Sequence, residues 1–163
     1  MDHVVEGDEE AVDISFTARF TNAMSQLGVE QWAAKVVYMT ASIDGILQGL
    51  MDGSLVGVSD GSFKDKRGTA CWILETQDGC ERIVGLAEVP GQEDEHDAYR
   101  SELAGLFGLV VAVKTLTELG DIKNGVVEVG CDGLSALHRS FRHGVEDICS
   151  SQPHFDILSG LHG

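Results

Sequence analysis

Basic residues are scarce in this chain: 11 Lys and Arg stand against 27 Asp and Glu, a formal net charge of −16 at pH 7. Phosphate affinity comes mainly from clustered Lys and Arg, so this balance excludes a general nucleic-acid binder and leaves room only for a local basic contact. Proline is scarce too, with 2 in 163 residues, so little interrupts helices or strands. No apolar run approaches the roughly 18 residues of a membrane-spanning helix, so a soluble chain with no membrane partner is expected. The opening "MDHVVEGDEE" lacks the basic-then-apolar order of a secretory signal, which points to an intracellular setting, nuclear or cytoplasmic. Cys71, Cys80, Cys131 and Cys149 form no C-x-x-C pair; this excludes the common structural zinc patterns and reads as free thiols in a reducing compartment.

The length suits one domain with a real core. Residues 1–50 read as an acidic tail followed by a helical extension, and residues 51–163 as the domain. In the extension, "FTARFTNAMSQLGVEQWAAKVVYMTASIDGILQGL" carries apolar residues at helical spacings, broken by Gly28 and by Asp44-Gly45, which predicts two or three short helices. From Leu55 the pattern turns strand-like. "LVGVS", "TACWILE" and "ERIVGLAEV" predict three strands, and Asp78-Gly79 predicts a tight turn that makes the last two antiparallel neighbours. The run "DAYRSELAGLFGLVVAVKTLTEL" is too long for a strand and predicts a helix capped by Asp97 and largely buried against a sheet. "VVEVGC" then predicts a fourth strand, Val126 to Cys131, brought parallel into the same sheet by the crossover helix. The fold class is therefore α/β, with a mixed sheet of three antiparallel strands and then a parallel one.

Asp-Gly occurs five times, at 44, 52, 60, 78 and 132, so most of these aspartates are expected to serve turns. Asp60 and Asp132 differ: each is read as ending an apolar strand with no tight return behind it. On adjacent parallel strands they would project from one end of the sheet, where ligands bind in sheets of this class. Glu102, in the first turns of a buried helix, would lean over that sheet, and an ionised carboxylate in apolar surroundings needs compensation. Three carboxylates with no histidine or cysteine nearby favour a hard ion, Mg²⁺ or Mn²⁺, over zinc. Two such ions about 3.5–4 Å apart can activate water and stabilise the leaving oxygen of a phosphodiester. The bland reading of the same residues remains open: turn or cap aspartates and a rim glutamate.

The three acids, in this order and on these elements, resemble the ribonuclease H superfamily. "VSDGSF…GTACWIL…YRSELAGL…VEVGCDG", from Leu55 to Gly133, is similar to its type 1 branch and in detail to the ribonuclease H domains that follow reverse transcriptases in retroelements. The resemblance implies that Asp60, Glu102 and Asp132 are catalytic metal ligands for two Mg²⁺ (or Mn²⁺) ions. It implies hydrolysis of the RNA strand of an RNA–DNA hybrid, with water as nucleophile. Gly61 and Ser62 would let the backbone approach the RNA, Lys64, Lys66 and Arg67 would meet phosphates, and Tyr99 and Arg100 would stand where the family touches the hybrid. The sequence departs from the family in having Ala98 and Tyr99 where asparagines are common. It also has no fifth strand, Gly-His loop or late acid after the last helix; His154 and Asp156 read instead as part of a helix start. The expectation is thus a domain truncated at its C-terminus, with a missing segment of the same element as a partner. A catalytically silent relic or binding module and a non-enzymatic acidic interaction protein are the alternatives.

Overall fold

The computed structural model describes residues 15–131. Asp132, Cys149, His154 and Asp156 lie outside the described residues. In chain order the elements are α1 (Phe16–Ser25), β1 (Lys35–Met39), α2 (Asp44–Asp52), β2 (Leu55–Lys64), β3 (Arg67–Glu75), β4 (Arg82–Glu88), α3 (Ala98–Leu119) and β5 (Val127–Cys131), with single 3₁₀ turns at Gly28–Glu30 and Glu93–Glu95. The strands form one mixed sheet in the order β1-β4-β3-β2-β5. All neighbours are antiparallel except β2 and β5, which are parallel; α3 makes the crossover from β4 to β5.

The period-2 pattern explains which face of the sheet is covered. Leu55, Gly57 and Ser59 of β2, Ala70, Trp72 and Leu74 of β3, and Ile83, Gly85 and Ala87 of β4 are buried, while the residues between them are exposed or half-buried. The buried set faces α3, whose Leu103, Ala104, Phe107, Val111, Ala112 and Leu116 join the same core. Trp72 anchors this layer; its indole N–H donates to the Ala33 carbonyl at 3.0 Å, so the one polar atom of the ring is satisfied on burial. Phe20 and Met24 of α1 and Ile46 and Leu50 of α2 complete the core, so elements before residue 51 are packed on the same sheet. On the opposite face Val58 and Leu86 remain 45% and 44% exposed. No helix among the described residues is long and apolar enough to cross a membrane.

Three details depart from the expectations. The extension is not wholly helical: Lys35–Met39 is an edge strand paired to β4, and the sheet thereby has a fifth strand from the N-terminal side. Its β-branched Val36-Val37 suits a strand, but a bulge between Val36 and Tyr38 breaks the alternation that would have announced it. The tight turn also lies elsewhere. β2 runs on to Lys64 and returns through the two-residue turn Asp65-Lys66, whose φ of 52° and 64° are both positive, as a type I′ turn requires. Asp78-Gly79 sits in a six-residue loop, 76–81, in which the Asp78 carboxylate accepts from the Thr76 hydroxyl and the Cys80 amide. Those two bonds hold its carboxyl below the usual carboxylate range. Finally, Asp60 does not end a strand, since it is paired with Cys71 inside β2.

Candidate functional site

The site is built where the start of α3 comes down on the β2–β3 hairpin. Asp97 caps the helix, its Oδ1 accepting the Arg100 amide at 2.6 Å, and so satisfies one of the orphan donors of the first turn. The next turn rests on two glycines. A Cβ on Gly61 would stand 2.5 Å from the Ser101 carbonyl carbon and 2.8 Å from its oxygen, too close for any side chain. A Cβ on Gly68 would strike the Ser101 hydroxyl and lie 2.9 Å from Val89. The backbone at Gly61 is therefore in direct contact with the backbone of Ser101-Glu102, 40 residues further along the chain at Ser101.

Alternation fixes the directions. Gly61 faces α3 and Asp60 faces the other side of the sheet, exposed to solvent, while Glu102 is half-buried at the helix start. The β2–β5 ladder is described as far as the pair Ser59–Cys131, which precedes Asp60 on β2. Among the described residues no group of three or more His, Cys, Asp or Glu is arranged to hold a metal, and Asp132 is not one of those residues.

A cysteine does stand near the acids, contrary to expectation. Cys71 is the cross-strand partner of Asp60. Burial, and secondarily the Asp60 charge, push its thiol pKa up, which favours the neutral thiol.

Ser62 and Lys64 follow Asp60 along the same face of β2, with Thr69 and Arg67 opposite them. At the strand rise, Lys64 lies about 14 Å from Asp60. Lys64, Lys66 and Arg67 are all exposed, but only Lys66 is in the turn; Lys64 ends β2 and Arg67 begins β3. Tyr99 is half-buried and packs against the core. Arg100 is only 5% exposed, and its Nε donates to the Pro90 carbonyl at 2.7 Å, fastening the loop before α3. Gly61 likewise has a packing reason for lacking a side chain, because it faces the helix.

Sequence reasoning passed over His96 and Gly68. The His96 ring accepts the Gly68 amide at Nδ1, 2.8 Å away, and its Nε2 lies 3.1 Å from the Gly91 carbonyl oxygen. A histidine just before an N-cap was the available signal, and it carried no spacing that pointed to its partner 28 residues upstream. No family model, curated protein or solved structure matches this chain.

Proposed function

We propose that this chain is a ribonuclease H-like domain of retroelement type that hydrolyses the RNA strand of RNA–DNA hybrids with a hard divalent cation. The observation that supports the reading is the contact of Gly61 with Ser101-Glu102, which packs the chain segment after Asp60 against the one that carries Glu102. Carboxylate oxygens are hard donors, which suit Mg²⁺ or Mn²⁺. Asp60, Glu102 and Asp132 would hold the cation, which when bound supplies an activated water and charge relief at the leaving oxygen. The exposed lysines and arginine at the hairpin tip lie about 14 Å along the strand from Asp60, roughly four steps of one nucleic-acid strand, and would fix the hybrid by its phosphates.

The test is cleavage of a labelled hybrid with Mg²⁺ or Mn²⁺ by the chain and by Asp60→Asn. Metal-dependent cutting lost by at least about a hundredfold in the variant supports the reading. Equal activity of the two proteins under both metals overturns it. The internal engagement of Arg100, together with the −16 charge, favours the second reading, a silent binding module. That module would bind the hybrid through the hairpin tip with no cleavage under either metal.

A further inference from the structure

The His96 ring is fixed by two backbone groups of opposite kind. A backbone amide can only donate, so Nδ1, which receives the Gly68 N–H at 2.8 Å, carries no proton. A carbonyl can only accept, so Nε2, 3.1 Å from the Gly91 oxygen, carries one. The bonded form is the neutral Nε2–H tautomer.

The position of Gly68 explains why this bond matters. In a two-residue hairpin the closing pair, here Lys64–Arg67, exchanges the hydrogen bonds, so the amide of the next residue points to the other side of β3. On that side the β3–β4 ladder stops at Thr69–Glu88, one residue earlier. His96 takes the place a strand would have filled, and Gly68 itself is buried against Ser101 of α3. The loop that carries His96 is tied to α3 by Arg100 through Pro90 and continues directly into the Asp97 cap.

We propose that His96 is a pH-dependent tie that seats the first turn of α3 on the β2–β3 hairpin when neutral and releases it when protonated. As a positioning residue it would govern the register of Glu102 against Asp60, and this functional consequence rests on the nuclease reading above. The charged groups on the segments that meet at the tie are Glu93, Asp94, Glu95 and Asp97 on its own segment, Arg100 on α3, Arg67 on β3 and Glu88 on β4. With five carboxylates against two guanidinium groups, the imidazolium charge is not what opens the tie. The loss is of the lone pair: a protonated Nδ1 points an N–H at the Gly68 N–H, and a buried donor is left without its acceptor.

The experiment follows the Gly68 amide by hydrogen exchange, as a protection factor relative to the intrinsic rate, at about pH 7.5 and about pH 5. Long-range nitrogen spectra of His96 report the tautomer in the same samples. Protection should fall about tenfold on acidification. His96→Asn puts an acceptor oxygen where Nδ1 stood and should keep Gly68 protected at both pH values, whereas His96→Leu should lose protection at both. Protection in the wild type that does not change with pH, or that survives His96→Leu, overturns the tie. Hybrid cleavage measured alongside separates the two proposals. A Gly68 amide that follows pH in a chain that cuts nothing keeps the tie and ends the nuclease reading; a cutting chain with an indifferent Gly68 does the reverse.

Discussion

Replacing Gly61 with alanine tests the geometry of the site at its origin. The added Cβ would be 2.5 Å from the Ser101 carbonyl carbon, where ordinary contact begins at 3.4 Å, so the helix start must retreat by about 0.9 Å. The obstacle is backbone, and it is not free to move. Ser101 is fastened by its hydroxyl to the Asp97 carbonyl at 3.0 Å and is pressed against Gly68 on the neighbouring strand. Overpacking of this kind costs about 1–3 kcal/mol. Stiffening of the unfolded chain by alanine returns about 0.4–1 kcal/mol. The net loss should be about 1–2 kcal/mol, read as a lower urea midpoint with an unchanged slope.

Gly57→Ala is the control, because it lies on the same strand and the same face. Its Cβ would meet the Leu109 methyl groups at 3.0 and 3.2 Å and a Leu74 methyl at 3.4 Å, all side-chain ends rather than backbone. That variant should lose less than about 1 kcal/mol. If the chain is a nuclease, Gly61→Ala should also lower cleavage about a hundredfold, since a displacement near 1 Å between catalytic groups has that effect. Gly61→Ala as stable as wild type, or no worse than Gly57→Ala, would refute the contact and with it the observation that supports the proposed function.

Other consequences can be checked separately. Asp60→Asn should lower the Cys71 thiol pKa and speed its alkylation at mildly alkaline pH, because the second cause of the raised value is removed; unchanged reactivity would mean that the two side chains are not neighbours. The same raised pKa makes a stability contribution that is complete below the ordinary thiol range and is lost as pH climbs through the folded value, so Cys71→Ser should flatten the alkaline end of a stability profile. Asp97→Ala should cost about 1 kcal/mol in urea denaturation through loss of the helix cap, and no change would show that the cap is dispensable. Changing Lys64, Lys66 and Arg67 together to alanine should flatten the log–log salt dependence of hybrid binding by about two to three units, and an unaltered slope would remove the hairpin tip from the interface.

The sheet was largely legible because its signals are local. Alternation marked β2, β3 and β4, length and the Asp97 cap marked α3, and the crossover rule placed β5 parallel to β2. What failed depends on partners distant in sequence. β1 is a strand only because β4 offers it an edge, and its bulge removed the alternation that would have shown it. The hairpin turn went to Asp65-Lys66 because nine paired positions between β2 and β3 fix the register, and the cost of a positive φ at lysine, about 1 kcal/mol, is small beside that ladder. The cysteine across from Asp60 was not readable, since cross-strand neighbours appear only once the register is known.

Four of the five Asp-Gly dipeptides fall among the described residues, and the structure separates them by what each glycine does. Gly53 and Gly79 have φ of 79° and 73°, so their glycine serves a backbone conformation that L side chains resist wherever they are placed. Gly45 lies inside α2, where an added Cβ would meet the end of the Glu81 side chain, which can swing aside. Gly61 has no positive φ and no flexible neighbour; it lacks a side chain because the backbone of α3 occupies that space. The first three are therefore explained by local structure or by a movable side chain, and any Asp could precede them. Asp60 alone among these four stands beside a glycine selected by tertiary contact, a contact made with the backbone of Ser101-Glu102, which is why it is the aspartate to test first.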